Sequence, residues 1–209
     1  MIFQSIDNKI SYYHAPKNGS RTMLGYLSLI ADPNLFDTKP EYFDESSRGE
    51  DGIYPELRRL CDANRITGLS RNNIPQTKSL IRIVIKRDPV KRFVSGYNNR
   101  VVFFNCLNKR VSFSEFVDNF EYYYRTNDSI KEHFRPQVDF FGFDRKIFSH
   151  IYDISEMDKV KKLFENTYNR KFPNIRLQQA GNVNKVNVTD SEIAKIKQIY
   201  RVDYESSWK

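Results

Sequence analysis

Cysteine, histidine and tryptophan are scarce in this chain, which holds two, three and one of them in 209 residues. Cys61 and Cys106 are too few for a disulfide framework, so the core must hold by packing, as suits a reducing compartment. Three histidines with no Cys-x-x-Cys or His-x-x-x-His spacing give no ligand set for a bound metal, and none is expected. No apolar run approaches the length of about 18 residues that a membrane-crossing helix requires. Repeats and low-complexity tracts are missing too, as is any Arg-rich helix or nucleic-acid-binding module that would read the basic residues as a nucleic-acid surface.

The formal charge of +8 therefore points to an anionic small partner rather than to DNA or RNA. A length of 209 residues suits one domain over residues 1–209, and apolar strand-like runs alternating with helical ones argue for an α/β fold with a mostly parallel sheet. The first expected strand starts within about ten residues of Met1, leaving little room for a signal peptide. Asn-x-Ser/Thr sequons fall at Asn18, Asn127 and Asn187, and a glycan at Asn18 would fill the loop described next. A cytoplasmic location is the expectation.

Residues 10–22 carry the most information. The run Ile10-Ser-Tyr-Tyr-His14 reads as a strand and breaks at Pro16 into a polar loop, Lys17-Asn-Gly-Ser-Arg-Thr22. The loop enters an apolar stretch, residues 23–30, that reads as a buried helix. A strand–loop–helix with Lys, Gly, Ser and Thr in the loop suits phosphate. The first N–H groups of a helix are unpaired and partly positive, and glycine lets the backbone approach the anion. Lys17 precedes Gly19, so the ordinary Gly-Lys-Ser/Thr order of nucleotide hydrolases and kinases is not met.

A second cluster follows a β-branched run at residues 81–86. In Arg87-Asp-Pro-Val-Lys-Arg-Phe-Val-Ser95-Gly-Tyr97, Asp88 is a good N-cap and Pro89 a good first helical residue. Val90, Phe93, Val94 and Tyr97 make one apolar stripe, with Arg92 and Ser95 expected off it. Arg87 then sits where strand turns into helix.

Together these clusters resemble the sulfotransferases that use 3′-phosphoadenosine 5′-phosphosulfate (PAPS), closest to the carbohydrate sulfotransferase type. Pro16-Lys-x-Gly-Ser-x-Thr22 is similar to that family's 5′-phosphosulfate loop, and Arg87-Asp-Pro-x-x-Arg-x-x-Ser95-x-Tyr97 to its 3′-phosphate motif. His133-Phe-Arg-Pro-Gln137 and Tyr200-Arg-Val-Asp203-Tyr204 are fainter echoes. The resemblance implies a P-loop-like three-layer α/β fold, a central mostly parallel sheet between helices. It implies transfer of a sulfuryl group from PAPS to an acceptor hydroxyl, on a carbohydrate by preference, leaving PAP, with no metal. In that scheme Lys17 meets the oxygen bridging sulfur and 5′-phosphate. Asn18, Gly19, Ser20, Arg21 and Thr22 hold the 5′-phosphate, and Arg87 and Ser95 the 3′-phosphate.

The acceptor proton needs a base. His14 is the first candidate, because the similar heparan-sulfate 6-O-sulfotransferases place their proposed base at the same offset from the lysine. His133 is the second, Glu45, Glu50 and Glu56 are further options, and His150 reads as structural. Two rivals stand beside this scheme: a kinase or nucleotide hydrolase, which would need an acidic Mg²⁺ ligand, and a non-catalytic nucleotide- or RNA-binding protein. Residues 31–64 read as an irregular connection, either an acceptor lid or a plain linker, with a short helix near 55–64 and a strand at 65–69. Tyr122-Tyr-Tyr124 fits either a sugar platform or core packing. Capping boxes at Ser112…Glu115 and Thr189…Glu192 start helices over 113–120 and 190–200, and Ser155 opens another.

Overall fold

The computed structural model describes residues 2–5, 7–43, 80–175 and 186–206. The rest of the 31–64 connection with Glu45, Glu50 and Glu56, and the expected helix and strand up to residue 69, lie outside them. The chain divides into two compact units: Met1–Lys86 with Lys146–Gln179, and Arg87–Arg145 with Ala180–Lys209.

The first unit is built on a four-stranded sheet in the order β1 (Ile2–Gln4), β2 (Ile10–Tyr13), β3 (Ile81–Lys86), β4 (His150–Asp153). β1 pairs antiparallel with β2, while β2, β3 and β4 run parallel, with Tyr13 opposite Val84 and Lys86 opposite Asp153. The sheet is thus mixed and mostly parallel, with helices packed against it. β1 is an addition to the sequence reading. Its turn is set by Ser5, whose Oγ accepts from Ile10 N–H at 3.0 Å and donates to Asp7 at 2.7 Å, and by Asn8 in the left-handed region.

β2 lies inside the sheet and is buried at all four residues. Alternation sends Ile10 and Tyr12 into one apolar cluster, while Tyr13 meets Phe148 edge-on at 4.7 Å. α1 (Ser20–Ala31) is buried from Thr22 to Leu29. Its Ser28 hydroxyl, buried in that stretch, donates back to Leu24 C=O at 2.8 Å and so is not stranded. Asp32-Pro33 ends the helix, since the residue before proline avoids helical angles. Between Leu35 and Phe43, part of the expected irregular connection forms a short helix, α2 (Leu35–Thr38), and one 3₁₀ turn.

In the second unit, α3 (Pro89–Tyr97) starts as expected, with Asp88 accepting from Lys91 N–H at 2.9 Å. It runs into a π-helical stretch, Asn98–Phe103. The expected helix over 113–120 is two helices, α4 (Phe113–Asp118) and α5 (Phe120–Thr126). The break is at Asn119, whose side-chain amide donates to Glu115 C=O at 2.9 Å and competes with helix continuation. α6 (Asp128–Phe134) and α7 (Val138–Phe141) follow. Back in the first unit, a 3₁₀ turn (Ile154–Glu156) capped by Asp153 and Glu156 runs into α8 (Met157–Tyr168), whose own N-cap is Glu156, so the α-helix opens after Ser155 rather than at it. α9 (Asp190–Ile199) carries the full Thr189–Glu192 capping box, and α10 (Arg201–Glu205) completes the second unit.

An aromatic core centred on Phe93, Phe116, Phe120 and Phe134 fills that unit. Gly96 makes it possible. A Cβ there would lie 2.8 Å from Phe134 Cζ and 3.0 Å from Cε1, on a ring only 1 % exposed. Alanine in a helix normally gains up to about 1 kcal/mol over glycine. Overpacking against a fixed ring costs about 1–3 kcal/mol. Gly96→Ala is therefore expected to lower the denaturant midpoint, with an unchanged slope; a raised midpoint would show that the ring can yield.

Candidate active site

The carboxyl ends of β2, β3 and β4 define one edge of the sheet, and the residues leaving β2 turn across it. The strand stops at Tyr13, before Pro16, as the proline demands. Lys17 (φ 69°) and Gly19 (φ 72°) both take left-handed angles, one on each side of the fully buried Asn18. Asn18 ties the loop to the neighbouring strand, its Nδ2 donating to Ile85 C=O at 2.8 Å. Ser20 Oγ donates to Ala15 C=O at 3.0 Å, closing the loop on itself, and Tyr12 Oη donates to Asn18 C=O at 3.4 Å. Gly19 caps α1 without a side-chain hydrogen bond, and the first turn of α1 carries no acidic residue. A helix start so arranged keeps its partial positive charge for an anion. A non-glycine residue in the left-handed region costs roughly 1 kcal/mol or more, and such strain gathers at functional sites.

His14 lies one residue past β2, half-buried, its ring edge-on to Phe3 at 5.7 Å and Tyr12 at 6.3 Å. His150, on β4, is half-buried beside Ser149 Oγ at 3.0 Å, and burial lowers its pKa.

The second motif is held by residues that sequence reasoning ranked as faint echoes. Arg87 is fixed through its main chain: its N–H donates to Gln137 Oε1 at 3.0 Å, and its C=O accepts from Gln137 Nε2 at 2.9 Å. Gln137 is fixed in turn by Asp203, whose carboxylate accepts from Gln137 N–H and Val138 N–H, both at 3.0 Å. Burial raises the Asp203 pKa, opposed by those two N–H groups and by Arg92. Arg92 does not lie off the apolar stripe as expected but is buried as deeply as its neighbour Phe93, each 1 % exposed. Its guanidinium donates to Arg135 C=O at 2.8 Å and His133 C=O at 3.1 Å, carbonyls at the negative end of α6 that compensate the buried charge. Tyr200, fully buried, donates to Phe134 C=O at 2.7 Å. Ser95 is half-buried on α3.

His133 sits in the same network. Its Nδ1 meets Ser129 C=O at 2.9 Å, and its Nε2 meets the Arg100 guanidinium. In the tautomer that suits both contacts, Nδ1 donates to the carbonyl and Nε2 accepts from the guanidinium, so both nitrogens are engaged. Of the three tyrosines at 122–124, Tyr123 is buried against Phe116, Tyr124 is half-buried, and Tyr122 is 64 % exposed. Among the described residues, no group of three or more His, Cys, Asp or Glu could hold a metal, and no helix is long and apolar enough to cross a membrane.

A family model described as "Sulfotransferase family" matches residues 1–206. The chain belongs to the sulfotransferase family. No curated protein and no solved structure matches it. Sulfotransfer is thus the chemistry of this transferase, and the family's members generally draw on PAPS as donor. The match covers both motifs. It also covers Gln137, Arg92 and Asp203, which in this sulfotransferase support the second motif from within. No local signal in the sequence marks them, since their partners lie 41 to 66 residues away along the chain.

Proposed function

We propose that this sulfotransferase moves the sulfuryl group of PAPS to a carbohydrate hydroxyl, with residues 16–22 serving as a P-loop-like 5′-phosphosulfate loop. The loop itself carries the reading. Lys17 and Gly19 are both left-handed, and α1 begins without a side-chain cap or an acidic residue in its first turn. That donor set fits a phosphosulfate: backbone N–H groups, the Ser20 and Thr22 hydroxyls, the Lys17 ammonium and the Arg21 guanidinium can all donate to oxygen anions. Arg87 and Ser95 bind the 3′-phosphate in this reading, as the resemblance implies.

The acceptor oxygen attacks sulfur in line with the bridging oxygen, and the S–O bond to the 5′-phosphate breaks as the new one forms. The electron pair of the broken bond stays on the phosphate of PAP. The acceptor proton passes to a base, His14, whose place next to the loop supports that role; His133 is the weaker candidate because both its nitrogens are engaged. Lys17 offsets the charge that grows on the bridging oxygen, and catalysis is chiefly positioning and electrostatics.

A cytoplasmic setting agrees with Asn18. Its sequon nitrogen is buried and bonded to Ile85 C=O, which leaves no room for a glycan. The reading is tested by incubating the protein with ³⁵S-labelled PAPS and a panel of glycans, metabolites and tyrosine peptides, with and without EDTA. Label is expected on a glycan, undiminished by EDTA. Label on a tyrosine peptide alone would overturn the acceptor class. Hydrolysis or transfer from ATP that EDTA abolishes would overturn the donor.

A further inference from the structure

We infer that Gln137 and Asp203 are positioning residues that set how well Arg87 recognises a 3′-phosphate. The inference rests on the assignment of that phosphate to Arg87 made above. The two hydrogen bonds from the Gln137 carboxamide, at 3.0 and 2.9 Å, engage both the N–H and the C=O of Arg87. A side-chain amide paired with a main-chain amide in this way fixes the position and tilt of the residue between its peptide groups. The residue so fixed follows the strand end at Lys86 and precedes the cap and proline of α3.

Arginine on a long side chain loses rotamer freedom whenever it grips an anion, and a fixed root lessens that cost. Gln137 is 7 % exposed and Asp203 8 %, so neither is on hand for a ligand itself. Asp203 grips the N–H groups of Gln137 and Val138 with its two oxygens, at 3.0 Å each, and so fixes where the carboxamide starts. The order of action runs inward to outward: α10 carries Asp203, Asp203 sets the start of α7, Gln137 sets Arg87, and Arg87 meets the phosphate.

This arrangement predicts an effect on selectivity and not on stability alone. The readout is the ratio of affinities for adenosine 3′,5′-bisphosphate and adenosine 5′-monophosphate, which differ only in the 3′-phosphate, measured by calorimetry. A charge-assisted bond contributes roughly tenfold or more to that ratio in the wild type. Gln137→Met keeps the side chain's length and removes both hydrogen bonds to Arg87. It is expected to cut the ratio by about threefold to tenfold while leaving affinity for the monophosphate within about twofold. Asp203→Asn keeps one acceptor and replaces the other with a donor that faces an N–H; it should cut the ratio by a smaller factor.

Thermal unfolding is recorded beside each titration, and Asp203→Asn decides the matter in the same terms if Gln137→Met does not fold. A wild type with no preference for the bisphosphate would overturn the phosphate assignment itself. A wild type with a preference that Arg87→Ala erases, but that Gln137→Met or Asp203→Asn leaves intact, would overturn this inference alone. A loss of stability with an unchanged ratio would overturn it too, since the two residues would then hold the fold and nothing more.

Discussion

Replacing Lys17 is expected to lower kcat by about 10²–10³-fold while affinity for PAP falls far less, the loss typical when one donor to a developing oxyanion is removed. The asymmetry follows from where the charge is. In bound PAPS the bridging oxygen is shared between sulfur and phosphorus and carries little charge; it becomes anionic only as the S–O bond breaks. An interaction that strengthens at that moment raises kcat, whereas one equally strong throughout would act on KM. Lys17 adopts φ 69°, so Lys17→Gly removes the ammonium at a position where glycine is conformationally at home. That variant should be at least as stable as the wild type, which separates loss of charge from loss of loop. Single-turnover kinetics with saturating PAPS, alongside thermal unfolding, would measure both. Near-normal turnover in Lys17→Gly would mean that the loop does not act on the bridging oxygen.

His14→Ala should cost about 10²–10⁴-fold in kcat/KM at neutral pH and remove the rising limb of its pH profile. The sign is fixed by the role: a base acts only when unprotonated, so activity climbs as the imidazole loses its proton and levels off above that point. PAP affinity should change little, because the base meets the acceptor and not the nucleotide. The ring stands edge-on to Phe3 and Tyr12, and that packing sets its orientation. His133→Ala is the control. It breaks the contact with Arg100 and should lower stability more than it alters the shape of the pH profile. If His133→Ala flattens the limb and His14→Ala keeps it, the assignment of the base is reversed.

The sequence disclosed those elements whose cause is local. β2, β3, α1 and α3 follow from β-branched runs, a proline, an N-cap and an apolar stripe, all written within a dozen residues. The polar loop at 16–22 was legible for the same reason. β1 was not, because three residues give no period to read, and its stability comes from pairing with β2 rather than from its own pattern. Arg92 was misplaced on its helix for a related reason. Its burial is compensated by carbonyls of residues 133 and 135, some forty positions away, and nothing in the local pattern announces them. The clamp of Gln137 on Arg87 spans 50 residues and that of Asp203 on Gln137 spans 66, so these partners become visible only in three dimensions.

The way the two units share the chain bears on how the protein is made. The first unit is interrupted: its sheet takes β1 to β3 from before residue 87 and β4 from after residue 145. The second is interrupted as well, waiting for Asp203 and Tyr200 to reach α7 and α6. A ribosome therefore cannot release a finished first half, because β3 has only one parallel neighbour until residues 150–153 emerge, and Arg87 has no fixed root until the last turn of helix does. Nascent chains too short to expose residue 203 should remain protease-sensitive around Arg87, and protection there should appear only once Asp203 has emerged.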